Sequence, residues 1–322
     1  NNAGRDITLT LDADVCATAY RALNGRSGAV GVYNYETGEI VCMVSSPTYD
    51  PEDPPSLSSD DKSGVYINRF TSATFPPGSI FKLVTAAAAI ENLDDAYTYT
   101  ANCTGREDYG HGDRVTDLDA HGTVDLEKAL EVSCNVYFGK LSEKLGGNLI
   151  EKYVDKTGLA ESIDINGIET AAGSFEYPEG GVNLAWTGIG QHKDMVNPCA
   201  MMVYMGAIAN NGTAVMPSLI KPTSFIDQQL SKLPKFGTQT KNMIETSTAT
   251  SLKTMMANNV ENHYGTDMFP GLNVCAKSGT AEVGGNKEPN AWFAGFLDDE
   301  SNPYAFIVLV ENGGYGTSVA GR

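Results

Sequence analysis

The sequence has little positive charge, and this deficit excludes several kinds of partner. Its 322 residues include 22 Lys and Arg against 40 Asp and Glu, which gives a formal net charge of −18. A nucleic acid backbone binds proteins mainly through their cationic side chains, and an anionic membrane surface attracts the same groups. We therefore predict that the protein binds neither nucleic acid nor an anionic membrane surface.

Long apolar runs are also missing from the sequence. The longest lies within residues 80–90 and is far too short to cross a bilayer. The chain begins directly with strand-like residues 7–11 and carries no N-terminal signal, so it looks like an excised domain. With 41% hydrophobic residues, its composition is ordinary for a globular protein of one elaborate domain or two lobes that share a cleft.

The cysteines form no close pairs. They stand at positions 16, 42, 103, 134, 199 and 275. A zinc site usually combines Cys and His at short spacing, and Cys103, His111 and His121 are too loosely spaced to indicate one. Most of the cysteines lie in apolar stretches, which is typical of small buried side chains. We predict no metal site, and a reducing or oxygen-poor setting rather than a disulfide framework.

One apolar helix pattern has a serine and a lysine at its start. The Pro-Pro-Gly at 76–78 ends the preceding segment, and the helix formers that follow place Ser79 in the first turn. Lys82 comes three positions later, so both side chains lie on one face. Apart from these two and Thr85, residues 80–90 are apolar, which is typical of a buried helix. Burial lowers the pKa of a lysine, and a neutral amine beside a hydroxyl can activate it as a nucleophile.

Two further polar groups lie downstream. Ser133 and Asn135 stand in a tight joint between two predicted helices, at 123–132 and 136–145. From there both side chains can point into one cleft, although they can also simply cap the second helix. Lys277, with the three residues after it, lies on a predicted strand, where it can also be an ordinary exposed lysine.

The periodic patterns together predict an α+β fold. Strands are predicted at 29–33, 39–44, 272–277, 292–297 and 304–310, and helices also at 14–23, 149–157, 198–209 and 247–258. Residues 92–119 are polar and predicted to be irregular. Strands at both ends with helices between them indicate that the N-terminal hairpin and the C-terminal strands share one antiparallel sheet.

Three motifs therefore stand in order along the chain: Ser79-x-x-Lys82, Ser133-x-Asn135 and Lys277-Ser278-Gly279-Thr280. This ordered set is the one found in serine β-lactamases and penicillin-binding proteins. Over nearly its whole length the sequence resembles the transpeptidase domain of the class B penicillin-binding proteins. Further landmarks of the resemblance lie at residues 9–12, 37–40, 46–51, 68–69, 75–78, 121–122, 188–191, 197–198 and 291–295.

The resemblance implies a serine β-lactamase/transpeptidase-like fold. In this α+β fold, helices flank an antiparallel sheet of about five strands next to a mostly helical subdomain. One transpeptidase domain is expected over residues 1–322, with a sheet lobe at about 1–70 and 265–322 and a helical lobe at about 71–264. A pedestal and one membrane-spanning helix are expected before residue 1, which would place the domain on the extracytoplasmic face of the bacterial cell membrane. The family usually adds a last helix beyond the point where this sequence stops.

The resemblance also implies a peptidoglycan D,D-transpeptidase that needs no metal or cofactor. Ser79 is expected to attack the penultimate D-alanine carbonyl of a stem peptide that ends in D-alanyl-D-alanine, which forms an acyl-enzyme. Lys82 takes the proton of Ser79, and Ser133 passes a proton to the departing amine. An amine from a neighbouring stem peptide then completes the cross-link. β-Lactams are expected to acylate the same serine.

The other motif residues are expected to bind the substrate. Asn135 hydrogen-bonds the substrate amide, and Gly279 leaves room for the substrate along the strand. Lys277 holds the terminal carboxylate together with the hydroxyls of Ser278 and Thr280. Ser278 stands where the family usually has threonine, which keeps the hydroxyl. The oxyanion is expected to bind the backbone N–H groups of Thr280 and the nucleophile.

Alternative functions stay open. A serine β-lactamase shares the motifs but needs a base that activates deacylating water, and Glu176 and Glu179 lie in a Pro/Gly-rich loop without a supporting motif. A β-lactam sensor domain and a catalytically silent scaffold share the motifs as well. Class B proteins work with glycosyltransferases, so such a partner in the membrane is expected. Cys134 and the four histidines are expected to be structural.

Overall fold

The computed structural model describes residues 6–222 and 239–322, which form an α+β fold around a five-stranded antiparallel sheet. Numbered along the chain, its strands are β1 (Gly28–Asn34), β2 (Ile40–Ser46), β11 (Val274–Ala281), β12 (Asn290–Leu297) and β13 (Tyr304–Val310). Their order across the sheet is β11-β12-β13-β1-β2. This confirms the prediction that the N-terminal hairpin and the C-terminal strands share one sheet.

The remaining strands form two-stranded pairs. These are β3 (Ala101–Cys103) with β6 (Gly122–Val124), β4 (Arg106–Gly110) with β5 (Asp113–Thr116), β7 (Asp164–Ile165) with β8 (Ile168–Glu169), and β9 (Thr213–Val215) with β10 (Thr240–Asn242). The helices are α1 (Ala13–Leu23), α2 (Lys82–Asn92), α3 (Leu126–Glu131), α4 (Asn135–Leu145), α5 (Gly147–Thr157), α6 (Gly181–Thr187), α7 (Pro198–Ala209), α8 (Thr246–Asn259) and α9 (Gly316–Val319). None of these helices in the described ranges is long and apolar enough to span a bilayer.

Helices cover both faces of the sheet. Every residue of α7 is buried, and this helix packs against β1, β12 and β13. Gly206 permits the close approach, because a Cβ built there would lie 1.8 Å from the hydroxyl oxygen of Tyr33 on β1. On the other face, α1 packs against β2. The sheet is therefore buried on both sides at its centre, which gives a rigid support for its outer strand β11.

The helix α2 lies at the centre of the helical part and is buried, as the apolar run predicted. Its residues from Lys82 to Ala89 are all buried, and it packs against α4, α5 and α8. A short 3₁₀ turn, Gly78–Phe81, precedes it and packs against β11. The start of α2 therefore faces the outer edge of the sheet.

Several predictions of local structure were wrong. Residues 7–11 form a single bridge between Leu9 and Ile220 instead of a strand. Residues predicted to be irregular contain β3, β4 and β5, whose short polar strands give no readable alternation. The helix predicted from residue 123 starts at Leu126, because β6 pairs with β3 and Asp125 caps the helix by accepting the Lys128 N–H at 2.9 Å. The division into a sheet lobe and a helical lobe stays a prediction.

Candidate active site

The turn that carries Ser79 is held in place by neighbouring backbone and side-chain groups. The indole N–H of Trp292 donates to the Pro76 carbonyl at 2.9 Å, and the Gly78 N–H donates to the Gly190 carbonyl at 2.8 Å. Trp292 is fully buried, and its hydrogen bond anchors this turn to the core. Ser79 itself is half-buried. The turn that carries the Ser79 hydroxyl is thus held by contacts with two other parts of the chain.

Two glycines let the Ser79 turn approach β11 closely. Gly78 has φ +55°, and a Cβ there would lie 2.7 Å from the Thr280 carbonyl oxygen. A Cβ on Gly279 would lie 3.1 Å from both the Pro77 carbonyl oxygen and the Ile80 side chain. Gly279 is therefore needed for packing, which the sequence does not indicate. The prediction that it also leaves room for a substrate is separate from this function. The nucleophile turn and the third motif are in direct contact.

Lys82 projects from α2 towards the second motif. Its Nζ donates to the Ser133 carbonyl at 2.6 Å, to the Asn135 Oδ1 at 2.7 Å and to the Ser133 Oγ at 3.3 Å. Three acceptors match the three protons of an ammonium group. Among the described residues, no hydrogen bond joins this amine to the Ser79 hydroxyl. These contacts orient the Lys82 amine towards the second motif.

Burial lowers the pKa of Lys82 to about 8, whereas the nearby carboxylate of Asp117 acts in the opposite direction. Lys82 is 0% exposed, so water cannot stabilise its charge. A pKa near 8 leaves about one tenth of the amines neutral at pH 7, which is a useful population for a general base. The sequence prediction of a lysine with a lowered pKa agrees with this environment.

Ser133 bridges two buried lysines. Its hydroxyl oxygen accepts from the Lys277 Nζ at 2.9 Å and from Lys82 at 3.3 Å. The backbone of Ser133 has φ +57°, an unusual conformation for a residue with a side chain. Lys277 is 0% exposed, which rules out the alternative of an ordinary exposed strand lysine. Burial, and secondly the charge of Lys82, lower the pKa of Lys277 well below its usual value.

Asn135 is fixed by contacts at both ends of its amide. Its Oδ1 accepts from Lys82 at 2.7 Å, and its Nδ2 donates to the Thr116 carbonyl at 2.8 Å. The capping alternative for the second motif is wrong, because other side chains cap α4. The Cys134 sulfur accepts the Tyr137 N–H at 3.3 Å, and the carboxylate described next accepts two further N–H groups. The side chains of the second motif therefore point towards α2.

Asp117 fixes the second motif, although no pattern in the sequence indicates this function. Its Oδ1 accepts the Asn135 N–H at 2.6 Å, and its Oδ2 accepts the Val136 N–H at 2.9 Å. A carboxylate at this position satisfies two N–H groups that begin α4 and that have no partner within the helix. Its charge also stabilises the ammonium form of Lys82. Asp117 thus positions the second motif and tunes the lysine beside it.

Replacing Asp117 by alanine is expected to slow acylation of the protein at least tenfold and to lower its stability by about 1–2 kcal/mol, the usual cost of a lost helix cap. The pH at which acylation is half-maximal should also fall, because Lys82 loses a nearby negative charge. Single-turnover acylation assays across pH measure the rate and its half-maximal pH, and thermal unfolding measures the stability. Asp125→Ala, which removes the cap of α3, is the matched control. Equal acylation rates in the two variants would contradict the positioning function.

Four potential metal ligands also meet behind the second motif. Cys103, Asp117, His121 and Cys134 each offer a ligand atom, and these atoms lie within 4.8 Å of one another. Thiolate, imidazole and carboxylate are the donors that Zn²⁺ binds in proteins, so these residues can hold such an ion. The loose spacing of Cys103, His111 and His121 in the sequence does not indicate this cluster. Its members come from separate elements that only the fold brings together, and His111 is not one of them.

The hydroxyls of Ser278 and Thr280 already have partners within the protein. Ser278 Oγ lies 3.1 Å from the Tyr264 hydroxyl oxygen, and Thr280 Oγ1 accepts the Gly316 N–H at 3.2 Å. Each hydroxyl can still form another hydrogen bond. The structure therefore brings Lys82, Ser133, Asn135 and Lys277 into direct contact, and the turn that carries Ser79 packs against Gly279 and Thr280 on β11. Ser278 lies on the same strand, and the individual functions of these residues stay predictions.

The comparisons with known proteins agree with this geometry. The family profile of the penicillin binding protein transpeptidase domain matches residues 28–322. The chain belongs to the penicillin-binding protein transpeptidase family. Among curated members of this family, the peptidoglycan D,D-transpeptidase PbpA of Mycobacterium tuberculosis is 28% identical over 317 residues, which cover 91% of this chain. The chain spans 64% of the length of that relative.

Solved structures of penicillin-binding proteins have the same fold. Penicillin-binding protein A from M. tuberculosis, solved as a ceftriaxone acyl-enzyme complex, aligns with a TM-score of 0.85 at 25% identity and covers 98% of this chain and 77% of that one. PBP2 from Helicobacter pylori, solved in complex with MreC, aligns with a TM-score of 0.83 at 25% identity, over 98% of this chain and 62% of that one. These matches confirm the predicted transpeptidase-like fold and the resemblance to class B penicillin-binding proteins.

Proposed function

We propose that the protein is a serine-type peptidoglycan D,D-transpeptidase that β-lactams acylate. The observation that carries the proposal is the Ser133 hydroxyl, which lies between the buried amines of Lys82 and Lys277 beside the Ser79 turn. Lysines are seldom fully buried without a function, and here two of them share one hydroxyl. The name of the PbpA relative and the β-lactam acyl-enzyme of the structural neighbour support the same function.

The contacts suggest a closed route for the proton in the acylation step. The Ser79 oxygen attacks the penultimate D-alanine carbonyl while neutral Lys82 takes its proton. The resulting ammonium donates to the Ser133 oxygen, 3.3 Å away, and Ser133 gives its own proton to the departing D-alanine amine. The C–N bond breaks, an acyl-serine ester remains, and no proton is lost. An amine from a second stem peptide then reverses this order and forms the cross-link.

Binding of the donor changes the charge of the site. Lys277 has a strongly lowered pKa in the free protein because it is buried beside another amine. A substrate carboxylate at β11 supplies an opposite charge, which raises that pKa and favours the ammonium. The backbone N–H groups of Ser79 and Thr280, brought close by the contact at Gly78, are suited to bind the oxyanion. Asn135, already oriented by Thr116, is suited to hold the substrate amide.

The acylation rate is expected to rise with pH through about 8 and then to level off. Lys82 must be neutral to accept the Ser79 proton, and its pKa is lowered to about 8, so the neutral fraction grows about tenfold per pH unit below that value. Single-turnover acylation by penicillin G, followed between pH 6 and 9.5, measures this profile. A rate that falls as the pH rises over this range would contradict a neutral lysine base.

The decisive experiment uses a stem pentapeptide that ends in D-alanyl-D-alanine. The protein is expected to release D-alanine and, with a stem-peptide amine as acceptor, to form a cross-linked dimer. The same protein treated first with penicillin G should release no D-alanine and should carry a covalent adduct by intact mass. Release that continues after complete acylation would refute the proposal, because the two reactions would then use different sites.

A serine β-lactamase remains the second candidate, and one observation argues against it. Glu176, a possible base for deacylating water, is instead paired with Lys193 at 2.6 Å and lies 3.6 Å from His192. These pairs hold the pKa of this exposed glutamate below its usual value, which weakens it as a base. Sustained hydrolysis of nitrocefin at many turnovers per second would favour the β-lactamase.

The cellular setting is also part of the proposal. We infer that the domain works on the extracytoplasmic face of the cell membrane, since its substrate is the peptidoglycan stem peptide. A glycosyltransferase in the membrane is the expected partner, because it makes the glycan strands that a transpeptidase cross-links. The complex of PBP2 with MreC shows that a family member assembles with another protein. Co-purification of the full-length protein with a glycosyltransferase, and labelling of intact cells by an impermeant penicillin, test both points.

A further inference from the structure

Tyr264 lies against the third motif, although nothing in the sequence assigned it a function. It ends a π-helical turn, Val260–Tyr264, that continues α8, and its side chain is buried. Its phenol oxygen accepts the Ser278 N–H at 2.9 Å and lies 3.1 Å from the Ser278 hydroxyl oxygen. π-Helical turns are frequent at functional sites. One side chain therefore contacts both the backbone and the hydroxyl of a residue predicted to bind the substrate.

These two contacts determine the direction of the hydrogen bonds. The phenol oxygen accepts from the Ser278 N–H, and among the described residues the Ser278 hydroxyl oxygen is the only acceptor within reach of its proton, so we assign the phenol as the donor in this second contact. Burial raises the pKa of Tyr264, which keeps the phenol protonated at neutral pH. The Ser278 hydroxyl then directs its own proton to an acceptor in the groove. A carboxylate is such an acceptor, and hydrogen bonds to charged acceptors are the stronger kind.

Tyr264 also occupies the outer side of β11. This strand is the edge of the sheet, and alternate residues of an antiparallel strand direct both their N–H and C=O groups to the same side. Ala276 and Ser278 face outwards, because Asn259 Nδ2 donates to the Ala276 carbonyl at 3.0 Å and Tyr264 accepts the Ser278 N–H. The next outward residue is Thr280. The outward backbone groups of β11 at Ala276 and Ser278 therefore already form hydrogen bonds within the protein and are not free to pair with an added peptide strand.

We propose that Tyr264 is a positioning residue that makes the site select donors with a free C-terminal carboxylate. An extended donor can pair with Thr280 but cannot continue along β11, because the N–H of Ser278 is bonded to Tyr264 and its carbonyl to the Lys277 amine at 2.9 Å. The donor must end there, beside the oriented Ser278 hydroxyl. This inference rests on the proposed transpeptidase function and gives a structural reason for cleavage next to a chain end.

The test compares penicillin G with its methyl ester, which lacks the carboxylate. Tyr264→Phe removes only the phenol oxygen, and the second-order acylation constant for penicillin G is expected to fall about tenfold, the usual effect of losing a hydrogen bond of this kind. The constant for the ester should change by less than roughly twofold, so the ratio of the two constants falls. Equal losses for both compounds, or no loss for either, would overturn the inference.

Two controls separate this function from general destabilisation. Tyr33→Phe removes the hydroxyl of another buried tyrosine, which donates to the Val203 carbonyl on the opposite side of the sheet from Tyr264. This variant should leave the ratio of the two acylation constants unchanged. If thermal unfolding shows that Tyr264→Phe is not folded, Ser278→Ala is used instead, because it removes the other hydroxyl of the pair. This variant should lower the same ratio, and an unchanged ratio refutes the inference. If the wild-type protein is not acylated by penicillin G at all, the proposed function itself fails.

Discussion

Replacing Ser79 by alanine is expected to abolish covalent labelling by penicillin G and to reduce D-alanine release by at least about a thousandfold. The effect is large because the proposed acyl bond is formed by the Ser79 oxygen, whereas the other groups of the site stay in place. Ser79 is half-buried in a turn anchored by Trp292 and Gly190, so the lost hydroxyl should cost little stability. Intact-mass analysis after incubation with excess drug measures the result.

The control for this experiment is Ser174→Ala. Ser174 is exposed and lies next to Phe175, which packs on Phe81 at the nucleophile turn. The control variant should acquire the same adduct as the wild-type protein at the same rate. An adduct of undiminished yield on Ser79→Ala would show that another side chain is the nucleophile, and the proposed mechanism would then be untenable.

Replacing Lys82 by methionine is expected to slow acylation by a factor of about 10² to 10⁴, the range typical of a lost general base. Methionine fills a similar volume in the buried site but cannot accept a proton. The slow residual reaction should also lose the inflection near pH 8, because that inflection belongs to the Lys82 amine. Single-turnover acylation across pH records the rate and the shape of the profile together.

Lys277→Met provides the comparison that identifies the base. Lys277 also contacts the Ser133 hydroxyl, but it lies on β11 where the donor carboxylate is expected. Its loss should weaken binding of penicillin G while the inflection near pH 8 persists at saturating drug. If the inflection near pH 8 persists in Lys82→Met and is lost in Lys277→Met, Lys277 and not Lys82 is the base.

Much of the fold could be predicted from the sequence, because its longer helices and strands have strong patterns of apolar residues. Strand β13 and helix α7 were predicted at the residues where they occur, since both are long and continuously apolar or alternating. The hairpin β4–β5 was missed because its strands are short, polar and mostly exposed. Its pairing depends on β-turn geometry and on contacts with distant helices, and neither leaves a periodic signal in the sequence.

Only the residues of the three motifs could be predicted from the sequence as parts of the candidate site. Ser79 and Lys82 carry a local signal, because their spacing on a helix brings them to one face. Asp117 and Tyr264 carry none, because an isolated acid and an isolated tyrosine acquire their contacts with Asn135 and Ser278 only after folding.

The order of strands in the sheet has a consequence for how the protein is made. Strand β1 pairs with β13, and its Gly28 lies opposite Val310, which is translated 282 positions later. Until those last strands leave the ribosome, the hairpin β1–β2 has no neighbour on its other side, and Trp292 and Lys277 are missing from the groove. Such distant pairings form slowly and late. A nascent chain should therefore remain inert towards penicillin until strand β13 has been synthesised, so that drug labelling reports only chains that contain the whole sheet.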